Sequence, residues 1–232
     1  VGLISTFRLL KREADLHIYG PKGLKEVITL QMKLSDSWTN YNLYFHELRS
    51  KESQLIFEDD KVEVHTIPLQ HRIYTNGFLF KEKERERKLD MTAIQNKDID
   101  VAYYRKLKQG FDIKSNKGEV VKNETVTLPP QKPKSYAFCS DTAYDEAKIS
   151  IIKEVDALYH ESTFLEQHTD LCAPTKHSSA KQAATIAKKA NVGKLILGHY
   201  STRYDDLSLF KKEAQTIFDK VELADDGKEF EF

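Results

Sequence analysis

Residues 135–164 read SYAFCSDTAYDEAKISIIKEVDALYHESTF, and residues 177–204 read HSSAKQAATIAKKANVGKLILGHYSTRY. Short apolar runs recur in both and halt at polar residues. Tyr136–Cys139 stops just before Asp141, Asp156–Tyr159 before His160 and Glu161, and Lys194–Leu197 before Gly198 and His199. Helical spacing fills the intervals near 143–154 and 178–190, and returns at 207–218. Strands of four or five residues alternating with amphipathic helices predict an α/β layered fold.

Outward from these stretches, residues 1–12 carry apolar groups at helical spacing. A strand at 16–19 and the turn Gly20-Pro21-Lys22-Gly23 lead into a helix near 22–34. Residues 41–82 turn to strands: Val62 and Val64 alternate with Glu63, and Tyr74–Phe80 is aromatic-rich around Gly77. The segment 83–134 differs. It opens within the charged run KEKERERK (81–88) and ends in Pro129-Pro130-Gln131-Lys132-Pro133, which reads as an inserted, protruding arm within one domain spanning 1–232.

The chain has 36 basic and 36 acidic residues, so overall charge does not favour a nucleic-acid partner, and any phosphate-binding surface must be a local cluster. No apolar run approaches the roughly 18 residues of a membrane span. Cys139 and Cys172 give no disulfide framework, and a reducing cytoplasm is the simplest location.

The functional signal lies where the strands stop. The run VEVHTIPLQ leads to His71, and with Asp141, Glu161 and His199 four strands deliver His, Asp or Glu to their carboxyl ends, where α/β sheets gather active sites. Imidazole and carboxylate are ligands of zinc and related ions; a thiolate site would need more cysteine. Each residue also has an ordinary reading. Taken alone, His71 reads as a surface or satisfied loop histidine, Asp141 and Glu161 as helix caps, and His177 as a helix-flanking residue. Taken jointly they favour a metal site. His17, His46, His65 and His168 have no such setting and read as structural. Tyr103-Tyr104-Arg105-Lys106-Leu107-Lys108 pairs aromatics with cations as an RNA-binding tip would, though an exposed turn fits the same spacing.

The segments GLISTFRLL (2–10), IYGPKG (18–23), IPLQHR (67–72), FCSDT (138–142), HESTF (160–164) and the whole of 177–204 resemble the ribonuclease Z family of the metallo-β-lactamase superfamily, in order and spacing. The resemblance implies a four-layer αββα sandwich, N-terminally incomplete here, with a two-zinc site on one edge. It implies that His71 ligates one zinc, His199 the other, and Asp141 bridges both. His177 would protonate the leaving 3′ oxygen, oriented by Glu161, while Ser201, Thr202 and Arg203 contact RNA phosphate. Tyr104, Arg105, Lys106 and Lys108 would lie on an arm that grips tRNA. The implied activity is endonucleolytic removal of the 3′ trailer of precursor tRNA, leaving a 3′-hydroxyl, by a cytoplasmic homodimer.

The sequence departs from that pattern twice. The family's HxHxDH motif stands immediately upstream of the segment matching GLIST and is not among these residues. With two protein ligands per zinc instead of the usual three, the chain as given is expected to bind zinc weakly and be inactive. The arm keeps Lys, Arg and Tyr without the family's glycines and prolines. Two other expectations stand beside this one: a different hydrolase or phosphodiesterase of the same fold, and a non-catalytic RNA-binding subunit that has lost its metals.

Overall fold

The computed structural model describes residues 1–115 and 118–232. It opens with α1 (Gly2–Leu9), β1 (Leu16–Pro21), α2 (Leu24–Leu34) and β2 (Leu43–Leu48), followed by β3 (Leu55–Glu58), β4 (Val62–Leu69) and β5 (Thr75–Glu82). Short elements come next: β6 (Lys88–Leu89), α3 (Met91–Asn96), α4 (Tyr104–Lys108), β7 (Ile113–Lys114), β8 (Val120–Val121) and β9 (Thr127–Leu128). The C-terminal half holds β10 (Ser135–Cys139), β11 (Ala157–Glu161), α5 (Cys172–Thr175), α6 (Ala180–Lys189), β12 (Leu195–Gly198), α7 (Ser208–Gln215) and β13 (Val221–Leu223).

Seven strands form one sheet in the order β13-β12-β11-β10-β5-β4-β3. β10, β11, β12 and β13 run parallel, while β5 is antiparallel to both β10 and β4. Two reversals make β4 parallel to β10. The carboxyl ends of β4, β10, β11 and β12 therefore share one edge, and His71, Asp141, Glu161 and His199 sit at or just past those ends.

α6 shows why the sheet is covered on one side. Ser179 and Gln182 form a reciprocal capping box at its start. Ala180, Ala183, Ala184 and Ala187 recur at helical spacing and are all fully buried, so the helix lies close on β11 and β12. With Phe210 and Ala214 of α7 they pack against Ile67, Leu79, Ala137, Leu158 and Leu197 of the sheet. α1 and α2 cover the parallel β1–β2 pair through a separate core of Ile4, Ile28, Met32 and Tyr41, tied by the Tyr41 hydroxyl donating to the Ile4 carbonyl at 2.8 Å. These are the components of an αββα sandwich, with two strands in the second sheet among the described residues.

One sequence expectation is corrected. The helical spacing at 143–154 yields only a 3-10 turn over Glu146–Ser150, because Lys148 is turned into the interior and Glu154 closes the segment at a left-handed φ of 59°. The segment 83–134 leaves and re-enters the sheet between the paired strands β5 and β10. Ile94, Ile99, Leu107, Ile113, Val121 and Val126 pack into a small core of their own, and the Asn123 amide donates to the Leu107 carbonyl at 2.5 Å.

Candidate active site

Glu161, the last residue of β11, is fully buried and accepts four hydrogen bonds. Its Oε1 receives the Thr142 N–H at 2.9 Å and the His177 Nδ1–H at 2.8 Å; its Oε2 receives the Thr163 N–H at 3.0 Å and the Thr163 hydroxyl at 2.8 Å. A buried carboxylate needs such donors to offset lost hydration.

These partners fix the proton positions. The Thr163 hydroxyl gives its hydrogen to Glu161, so its oxygen accepts from His199 Nδ1 at 2.8 Å. His199 then presents a bare Nε2, 3.4 Å from Asp141 Oδ1. His71 Nδ1 donates to the Lys176 carbonyl at 3.1 Å, which leaves its Nε2 bare as well. Two non-glycine residues at the site, Lys176 (φ 63°) and His199 (φ 60°), hold left-handed backbone.

Asp141 lies between the histidines. Ligand atoms of His71, Asp141 and His177 lie within 4.8 Å of one another, as do those of Glu161, His177 and His199. The ring of His177 stacks on that of His199 with centroids 5.2 Å apart and lies 5.2 Å from that of His71. An array of imidazole nitrogens around a carboxylate, without thiolate, suits zinc or a similar divalent ion.

Arg203 stands at the rim, its guanidinium 5.5 Å from the centre of the Phe164 ring and its Nε donating to Ser201 Oγ at 3.4 Å. Thr202 is exposed beside it. The arm residues sit elsewhere, on α4: Arg105, Lys106 and Lys108 are exposed, whereas Tyr104 packs against the arm's core. Thr142, Thr163 and Lys176 join the site without having been singled out by sequence. The polar letters following Asp141 and Glu161 were the available signal for the two threonines; Lys176 acts through its carbonyl, which leaves no signal.

Burial alone would raise the Glu161 pKa, but the bonds from His177, Thr142 and Thr163 outweigh it and hold the carboxyl below its ordinary 4.5. The bond to Glu161 raises His177 above its ordinary 6.5, against some loss of hydration. Burial pushes His160 down to about 4, with the Lys148 charge adding to the effect.

The lowered Glu161 pKa contributes stability that is complete above pH 4.5 and lost as pH falls through the folded value. The raised His177 pKa contributes stability that is complete below pH 6.5 and lost as pH rises through its folded value. In chelator-treated protein, the difference in melting temperature between wild type and Glu161→Gln should be largest between pH 4.5 and 6.5 and narrow on both sides. A difference independent of pH would contradict this electrostatic account of the pair.

No protein-family model matches the chain. It is 43% identical over 231 residues to ribonuclease Z of Cytophaga hutchinsonii, covering 99% of this chain and 74% of that protein. It is 42% identical over 224 residues to ribonuclease Z of Bacteroides thetaiotaomicron, covering 97% and 71%. Among solved structures, the short form of human tRNase Z superposes with a TM-score of 0.62 at 22% identity, covering 97% of this chain and 70% of that one. The metallo-β-lactamase fold protein YhfI of Bacillus subtilis superposes with a TM-score of 0.60 at 16% identity, covering 98% and 70%. The structural likenesses establish a metallo-β-lactamase fold, and the sequence identities establish that the chain belongs to the ribonuclease Z family.

Proposed function

We propose that this chain serves a zinc-dependent endoribonuclease that removes the 3′ trailer of precursor tRNA and leaves a 3′-hydroxyl. The observation that carries the reading is the Glu161–His177 pair set directly against the His71, Asp141 and His199 side chains. His71, Asp141 and His199 would hold the metal, with Asp141 shared. Bound zinc supplies Lewis acidity and lowers the pKa of a coordinated water.

The chain's own residues supply the remaining chemistry. Expelling a 3′ oxygen requires a proton, because an alkoxide is a poor leaving group. His177 keeps its Nδ1–H on Glu161, so a second proton at Nε2 faces outward for transfer to the leaving oxygen. Glu161 compensates the resulting imidazolium. Ser201, Thr202 and Arg203 suit phosphate contact at the rim, where the guanidinium is exposed and positioned by Phe164 and Ser201.

Away from the centre, the exposed cations Arg105, Lys106 and Lys108 are the local positive cluster that a neutral chain needs for binding RNA. In this reading 83–134 is the tRNA-gripping arm of a single domain, with partly buried Tyr104 packed beside the exposed cations. Leu3, Leu9 and Leu10 with Val27, Leu30 and Leu34 leave apolar surface exposed on α1, its C-terminal end and α2, which fits contact with a second copy of the chain. Both cysteines are free and buried, consistent with a cytoplasmic location, and among the described residues no helix is long and apolar enough to cross a membrane.

Metal-loaded full-length protein should cut a precursor tRNA after the discriminator base and leave a 3′-hydroxyl. His177→Ala should slow that cut by about 10²–10⁴-fold. A 3′-phosphate product, or no cut at all, would defeat the reading. Changing Arg105, Lys106 and Lys108 together to alanine should weaken precursor binding and reduce its salt slope by about 3; an unchanged slope removes the arm from recognition. Sedimentation should report a dimer that Leu30→Glu with Leu34→Glu converts to monomer, and a wild-type monomer would exclude the assembly.

A further inference from the structure

Lys148 has no part in the chemistry described so far, yet it is one of the largest fully buried side chains, at 1% exposure. Its ammonium donates to Thr142 Oγ1 at 3.1 Å and lies 3.5 Å from His160 Nε2. His160 is fully buried, and its Nδ1 donates to the Glu161 carbonyl at 2.7 Å, so its Nε2 is the acceptor that faces Lys148. No carboxylate pairs directly with the ammonium among the described residues. A buried cation held by neutral acceptors is costly, and an apolar side chain of similar length would serve packing better.

What the ammonium does hold is the site's frame. Thr142 follows Asp141 directly, and its N–H is one of the four donors on Glu161. The Thr142 carbonyl accepts from Ser178 Oγ at 2.7 Å, next to His177. Its hydroxyl oxygen also receives the Gln70 N–H at 3.1 Å, next to His71. On the other side, His160 grips the backbone carbonyl of Glu161 itself. One buried cation thus touches the loop after β10, which donates to Glu161, and the end of β11, which carries Glu161.

The geometry points to Lys148 as a positioning residue: through Thr142 and His160 it fixes the Glu161 carboxylate, and through Glu161 the orientation of the His177 ring toward the leaving oxygen. This inference rests on the proposed role of His177 as proton donor. Lys148 does not touch substrate in this scheme. Its largest effect falls on the step that needs a proton, so its loss should be felt more where the leaving group is basic than where it departs unaided.

The test compares two substrates on metal-loaded full-length protein: a precursor tRNA, whose 3′ oxygen must be protonated, and bis(p-nitrophenyl) phosphate, whose phenolate leaves without a proton. Lys148→Met should lower kcat on precursor tRNA by about 10²-fold with KM within about twofold, since misplacement of a catalytic group by about 1 Å costs that much. Cleavage of the aryl diester should stay within about threefold of wild type, and the melting temperature should hold or rise because a buried charge has been replaced by apolar surface. On a Thr142→Val background, the same change should cost little further. Equal losses on both substrates, or a lowered melting temperature accompanied by loss of metal, would assign Lys148 to structure and overturn the inference. His177→Ala serves as the reference. If it is not selective for the tRNA substrate, the proton-donor reading itself falls; if it is selective and Lys148→Met is not, only the role of Lys148 falls.

Discussion

The buried carboxylate of Glu161 is the constraint around which the C-terminal half is organised. A charge with no solvent access must be met by donors, and removing one partner from such a set costs about 3–5 kcal/mol. Glu161 meets its need with donors from three places in the chain: Thr142, Thr163 and His177. Thr163 extends the set to His199. The need to satisfy one anion therefore draws the loops after β10, β11 and β12, together with the start of α6, to a common point. The positions of Asp141 and His199 follow from that convergence.

The sheet supplies the frame that makes convergence affordable. Because β4, β10 and β11 and β12 run the same way, the connections after them emerge side by side and need little extra chain to meet. The remaining adjustment is taken up as backbone strain. Left-handed φ at a non-glycine residue costs on the order of 1–3 kcal/mol, and both Lys176 and His199 accept it. At Lys176 it accompanies a carbonyl turned to His71; at His199 it places the ring so that one nitrogen reaches Thr163 and the other Asp141. Such strain persists only where surrounding contacts over-determine the geometry, as four bonds on Glu161 do.

How much of this could be read from the letters follows from what each residue obeys. β10, β11 and β12 were legible because short apolar runs bounded by polar residues have few other solutions, and their endings pointed to Asp141, Glu161 and His199. The spacing at 143–154 misled because Lys148 reads as the polar face of a helix, while the fold spends that position on a buried ammonium that no periodicity encodes. The core inside 83–134 was hidden for a different reason: Ile94, Leu107, Val121 and their partners are scattered among charges at no regular interval, so only tertiary packing gathers them. Thr163 was visible as a letter in HESTF, but its linkage of Glu161 to His199 depends on hydrogen-bond direction, which a string does not contain.

That directionality also separates the three histidines. His71, His177 and His199 all donate from Nδ1 and present Nε2 to the same space, so tautomer alone cannot tell a ligand from an acid. Their partners can. His71 gives its proton to a neutral carbonyl and His199 to a neutral hydroxyl. His177 gives its proton to a carboxylate held in its ionised form, and the opposed charge favours imidazolium. In the proposed mechanism, one tautomer with two kinds of partner thus sets two nitrogens toward a cation and one toward a leaving group. The division of labour is set behind the rings, in the identity of the three acceptors.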